Sequence, residues 1–282
     1  MKFSLFTVMV PAWSPEEVVK KLKEYGYDGV EWRVRDVPKA APDPMPARDQ
    51  LFWQYNRATL DIDSIAEDAA RAAKLCDENG LEKLSLASYL MPRELDKVEA
   101  LLAAASDNGF KMIRLFPDSY KGDVPYRELF SDVRSKLFTV ERLCKKYGVQ
   151  ANLEIHMNTI IPSASAAYRL IEGMDEDLIG VVFDAGNMVY EGFENYQFGM
   201  ELLDRHVHHV HIKDSTWAPN KEGKLAPGFA EIGKGVVNYE KLFDALHKIG
   251  YDNYLSFEDF SVSKSDDDKL RDNLAFIKEK LG

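Results

Sequence analysis

Short apolar runs and longer amphipathic runs take turns along the whole chain. Residues Lys2–Thr7 read as a strand. Ser14, Pro15 and Glu17 then open a helix: serine at the cap, proline at the first helical position, and a glutamate placed to reach back to the cap. The same alternation predicts further strands at Gly29–Val34, Leu81–Ala87, Lys111–Phe116, Gln150–His156, Gly180–Asp184, His206–Lys213 and Tyr254–Phe260. Helical periodicity fills the intervals over Ile62–Asn79, Arg93–Asn108, Pro125–Tyr147, Ser163–Gly173, Phe198–Arg205, Tyr239–Ile249 and Lys264–Leu281. Glycines 80, 109, 148 and 250 stand where helices close on a left-handed residue. Strands and helices in strict alternation make a parallel sheet. Eight such units, without a break in composition, predict an α/β fold closed into a single-domain (β/α)8 barrel over residues 1–282. A doubly wound open sheet would carry a glycine-rich turn after its first strand, and FTVMVPAWSP has no glycine. The longest irregular stretch, Asp36–Ala58, holds Pro38, Pro42, Pro44, Pro46, Phe52 and Trp53. In a barrel it lies on the catalytic face, where it reads as a lid or a packed surface loop.

Composition narrows the function classes. Hydrophobic residues are 45% of 282, enough for a large core. Asp and Glu outnumber Lys and Arg by 47 to 36, a net charge of −11, and no basic run is visible, so a nucleic-acid partner is not expected. No stretch approaches the ~18 uninterrupted apolar residues of a membrane span. The start MKFSLFTVMVP lacks a charged region followed by a long apolar core and reads as a strand, not a signal peptide. Cys76 and Cys144 fall in helical patterns far apart and read as buried free thiols, which fits a cytoplasmic protein.

The chemistry concentrates on the last four strands. LEIH places Glu154, VVFDAGN places Asp184, HHVHIKD places His211 and LSFEDF places Glu258, each near the carboxyl end of its strand and among apolar neighbours. An unpaired carboxylate is costly there. Barrel strands converge at that end, so the four can meet around one point. Three carboxylates and an imidazole form a hard, mostly oxygen donor set that suits one divalent ion, Mn²⁺, Mg²⁺ or Co²⁺, with Zn²⁺ also open. Around them, His156, Arg33 and Lys213 share the inward side of their strands, nearer the mouth, and read as substrate contacts. Trp13, Trp53 and Trp217 on the mouth loops offer faces for sugar C–H surfaces. Glu31 reads as a partner to a ligand, Arg114 as a partner to an inward carboxylate, and His209 as a hydrogen-bonded core histidine.

The motifs YGYDGVEWR (Tyr25–Arg33), LEIH, FDAGN, HVHIKD, EIGKGVVNY (Glu231–Tyr239) and SFEDF run in order over nearly the whole chain. Together they resemble the xylose isomerase-like TIM barrels, a superfamily of sugar and sugar-phosphate isomerases and epimerases that also takes in family 2 AP endonucleases. The resemblance implies Glu154, Asp184, His211 and Glu258 as metal ligands, choosing His211 from the H-V-H pair. It also implies proton transfer by Glu154 and Glu258 beside the carbonyl of a ketose, ketose phosphate or related polyol. Dehydratases of the inosose and 3-dehydroshikimate type on the same scaffold are the alternative, and the resemblance implies a homodimer or homotetramer. Two departures matter. Asn187 stands three residues after Asp184, where endonucleases and some ketose epimerases have His. It is read as a substrate contact able to hydrogen-bond a hydroxyl but not to share a proton. A phosphate cradle has only the EIGKGVV loop as a candidate.

Overall fold

The computed structural model describes residues 1–282. Eight parallel strands form the barrel wall: β1 Lys2–Phe6, β2 Gly29–Arg35, β3 Glu82–Ser88, β4 Met112–Leu115, β5 Gln150–Glu154, β6 Ile179–Asp184, β7 Val207–Ile212 and β8 Tyr254–Phe257. Each pairs with the next, and β1 closes the ring by pairing with both β2 and β8. Outside lie α1 Pro15–Tyr25, α2 Ile65–Asn79, α3 Leu95–Asn108, α4 Tyr126–Tyr147, α5 Ala164–Ile171, α6 Tyr196–Leu203, α7 Tyr239–Lys248 and α8 Asp266–Leu281. The capping box at Ser14 forms as the sequence predicts, with Glu17 N donating to Ser14 Oγ and Ser14 N to Glu17 Oε2. α2 and α4 end on Gly80 and Gly148 at φ 69° and 66°, a region that side chains with a Cβ avoid. Apolar faces of strands and helices merge into one large core that includes Leu5, Trp32, Leu86, Ile113, Leu153, Phe183, Val210 and Leu255.

Two irregularities position the site. The β2–β3 register shifts between Val30 and Glu31, and the β6–β7 register shifts between Val181 and Val182. An extra residue in a ladder changes which side chains face inward. On β7, His208 reaches Asn152 while the adjacent His209 reaches Glu31, so two consecutive residues face the barrel interior.

The loops at the carboxyl ends of the strands hold more structure than the periodicity suggests. The Asp36–Ala58 stretch contains a helix, Arg48–Gln54, that buries Phe52 in a small apolar cluster with Phe6, Val8, Ala87 and Phe260. After β6, two short helices, Ala185–Glu191 and Tyr196–Leu203, replace the one expected. After β7 the chain forms an antiparallel hairpin, Asp214–Pro219 with Leu225–Ala230, which has no counterpart in the predicted elements. Cys76 and Cys144 are free and buried, and no helix is long and apolar enough to cross a membrane.

Candidate metal centre and active site

Glu154, Asp184 and His211 come from β5, β6 and β7, and Glu258 directly follows β8. Each offers a ligand atom such that all four atoms lie within 4.8 Å of one another. His211 Nδ1 is 3.5 Å from Glu154 Oε1, 3.6 Å from Asp184 Oδ2 and 4.0 Å from Glu258 Oε2. All four residues are buried. His211 Nδ1 and Asp184 Oδ2 have no hydrogen-bond partner. Glu258 Oε2 makes no hydrogen bond of normal geometry, although the Lys213 ammonium lies 2.6 Å away. Buried polar atoms left unpaired are costly. Three that converge on one point form a coherent donor set for a cation.

The surrounding contacts hold these atoms in place. Glu31 Oε2 accepts from His211 Nε2 at 3.0 Å, from His209 Nε2 at 3.1 Å and from Ser256 Oγ at 2.9 Å. A carboxylate facing Nε2 fixes the proton there and frees Nδ1 as a ligand, the usual way a metal-binding histidine is oriented. Glu31, His209 and His211 also lie close enough to hold an ion. Three donors on Glu31 Oε2 make that trio an orienting network instead. Glu154 is clamped from two sides: Arg114 Nη1 donates to its Oε2 at 2.5 Å, and Asn187 Nδ2 to its Oε1 at 2.9 Å. Arg114 is itself fixed by Nε and Nη2 bonds to the Ser88 carbonyl. Asp184 caps the Ala185–Glu191 helix by accepting from Asn187 N at 2.8 Å.

Charge follows the same design. Four buried carboxylates, Glu31, Glu154, Asp184 and Glu258, face two buried cations, Arg114 and Lys213, which leaves two negative charges to be met. Burial works against a charged His211. The carboxylates of Glu31, Asp184 and Glu154 outweigh it and raise the imidazole well above its ordinary value. Burial also raises Glu154, but Arg114 and His211 hold it well below the carboxylate range. Glu258 moves upward, because burial and the charges of Glu154 and Asp184 outweigh Lys213. Lys213 is raised as well, since Glu258, Asp184 and Glu154 all favour its charged form over burial.

The other predicted contacts divide into two groups. Lys213 is spent on Glu258 and lies 3.6 Å from Asp184. Asn187 uses its amide N–H to hold Glu154, leaving Oδ1 unpaired. His156 donates from Nδ1 to the Met157 carbonyl and stacks edge-on to Phe116 at 4.8 Å; burial lowers its pKa. Arg33 lies further round the barrel, donating to Thr59 Oγ1 at 2.6 Å. Trp13 packs half-buried on the core, and Trp217 donates Nε1–H to the Val189 carbonyl from the hairpin. The EIGKGVV loop does not form a phosphate cradle. The amides of Gly233, Gly235 and Val237 donate at 3.0–3.1 Å to the Asp214 carboxylate, which fills that position from within. Ser256 escaped the sequence reading. Its signal is its place two residues before Glu258, paired in register with His211.

Comparison with known proteins agrees with this architecture. The family model described as "Xylose isomerase-like TIM barrel" matches residues 19–280. An inosose dehydratase of Clostridium perfringens is 28% identical over 126 residues, 41% of this chain and 42% of that enzyme, so the match spans under half of the relative. Among solved structures, a 3-keto-D-glucoside 4-epimerase from E. coli superposes with a TM-score of 0.73 at 18% identity, covering 99% of both chains. The IOLI protein with a bound zinc atom gives 0.69 at 16% identity, over 99% of this chain and 96% of that one. At such identities the structural likeness establishes the fold.

Proposed function

We propose that this chain, which belongs to the xylose isomerase-like TIM barrel family, binds one divalent ion through Glu154, Asp184, His211 and Glu258 and epimerises or isomerises a keto sugar or related polyol. The observation that carries this reading is the meeting of those four side chains around unpaired buried atoms. Mn²⁺, Mg²⁺ and Co²⁺ suit the donor set, and the zinc-bound relative keeps Zn²⁺ in the panel. When bound, the ion supplies Lewis acidity that polarises the substrate carbonyl.

The protein's own groups then move the proton. Arg114 and Asn187 keep Glu154 ionised and fixed, which makes it the acceptor for the proton on the carbon beside the carbonyl. The C–H electron pair shifts into the carbonyl to give an enediolate. Glu258, whose pKa burial and the neighbouring Glu154 and Asp184 carboxylates shift upward, is the group assigned to return a proton. Return to the same carbon gives the epimer, and return to the former carbonyl carbon gives the isomer. His156, with Nε2 uncommitted, and Asn187 Oδ1 are the groups placed to meet substrate hydroxyls.

A dehydratase reading has its own support, since the sequence-level match is to inosose dehydratases. There the same enediolate expels a β-hydroxyl, which leaves as water after taking a proton from the carboxylic acid. Incubation of the metal-loaded protein with keto sugars and cyclic keto-polyols in D₂O separates the two. Deuterium beside the carbonyl without new ultraviolet absorbance is the result expected. An unsaturated, absorbing product carries the dehydratase reading, and no exchange and no product across the panel overturns both.

A further inference from the structure

The two arginines of β2 are not used by the centre described above. Arg33 is only 3% exposed, and its sole hydrogen bond from the guanidinium goes to Thr59 Oγ1; Nε and Nη2 have no partner, and no carboxylate pairs with it. A buried cation without a counter-charge is strongly disfavoured unless something else supplies one. Arg33 lines a cavity of about 230 Å³ together with Arg35, Asp36, Trp53, Gln54 and Thr59. Asp36 is exposed, and two arginines against one carboxylate leave the cavity positive. That sign runs against the chain's net charge of −11.

Two packed relays of side chains connect the cavity to the four-residue centre. On one side, Arg33 and Arg35 each lie 5.3 Å from the Tyr89 ring, whose centroid is 4.6 Å from Arg114, the partner of Glu154. On the other, Trp53 packs on Phe260 at 4.8 Å, and Phe260 underlies the ammonium of Lys213, the partner of Glu258. Arg33 also follows Glu31 by two residues on the same strand, about 7 Å nearer the mouth.

We propose that this cavity is an oxyanion subsite, so that the substrate is a keto sugar carrying a carboxylate or a phosphate, with Arg33 as the principal contact and Arg35 as the outer one. Arginine's planar fork matches either group through paired N–H donors. The proposal rests on the reading that the neighbouring centre handles a keto sugar, but its test does not depend on turnover.

Binding is measured at low salt by calorimetry and by quenching of tryptophan fluorescence, with three keto sugars of similar size: D-fructose, D-fructose 6-phosphate and 5-keto-D-gluconate. At least one anionic sugar binds about tenfold or more tighter than fructose, and the tighter of the two identifies phosphate or carboxylate. Arg33→Gln brings the ratio of anionic to neutral affinity close to one. Arg33→Lys, which keeps the charge without the fork, retains part of it. Arg35→Gln, at an exposed position, lowers the ratio by a smaller factor and stands as the readout if the buried Arg33 variants do not fold. Equal affinities for all three sugars, no binding of either anion, or a preference unchanged in these variants overturns the subsite. Deuterium exchange on the same sugars reports separately. Exchange without anion preference removes only the subsite, and anion preference without exchange removes only the proton-transfer reading.

Discussion

The floor and the rim of this barrel bury the same residue type in opposite ways. At the floor, His208 has Nδ1 2.6 Å from Asn152 Oδ1 and Nε2 2.7 Å from the Glu176 carbonyl, and its ring lies directly against Gly180. Every polar atom of that ring has a neighbour. At the rim, three residues along β7, His211 has one nitrogen committed to Glu31 and the other, without a hydrogen-bond partner, facing oxygens of Glu154, Asp184 and Glu258. A buried histidine with a neutral protein oxygen against each nitrogen is structure. A half-paired one among carboxylates is a candidate binding site, because a cation there would meet buried atoms that have no partner.

Substitutions should separate the two regions. The largest effect falls on catalysis at the rim: Glu154→Gln and Glu258→Gln each lower solvent deuterium exchange by about 10³-fold or more while circular dichroism remains that of the folded barrel. The next falls on stability at the floor. A Cβ at Gly180 would stand 2.3 Å from the His208 ring, so Gly180→Ala destabilises by about 3 kcal/mol in urea unfolding, with metal affinity unchanged. Glu31→Gln, between the two layers, keeps an acceptor oxygen but removes the negative charge that holds the His211 Nε2 proton, and weakens metal binding by ~10–100-fold in calorimetry. The smallest effect is a pH dependence. Burial is the largest influence on His208 and pushes it down to about 4, although the Glu176 carbonyl favours protonation. The unfolded ring titrates near ~6.5. Its contribution is therefore complete above that value and is lost as pH falls toward 4, amounting to about 2 kcal/mol at pH 5. Urea unfolding at pH 8 and pH 5 measures it, and His208→Gln reduces the difference.

Much of the barrel is legible in periodicity because each unit ends on a local signal, such as the Ser14 capping box or the glycines after α2 and α4. The four rim residues are legible because an ionisable side chain in an apolar run such as VVFDAG or LSFEDF needs a reason to be buried. The Asp214–Ala230 hairpin is not. Its strands include Pro219, Pro227 and Gly228, which read as loop, and they pair only with each other. Register shifts are equally silent: nothing local in HVHHVH tells that His208 and His209 both turn inward, since the shift at Val181/Val182 is a property of the ladder between β6 and β7. The filled cradle at Gly233–Val237 depends on Asp214, about twenty residues away, and only the folded chain brings them together.

Titration of metal-stripped protein with Mn²⁺, alongside Asp184→Asn, tests the account most directly. Asparagine still caps the helix that follows, so the variant keeps its fold while losing one anionic donor. One ion per wild-type chain, with affinity reduced by about 100-fold or more in the variant, is the result predicted. No uptake by the wild type, or the same stoichiometry and affinity in both proteins, would contradict a centre built from these four side chains.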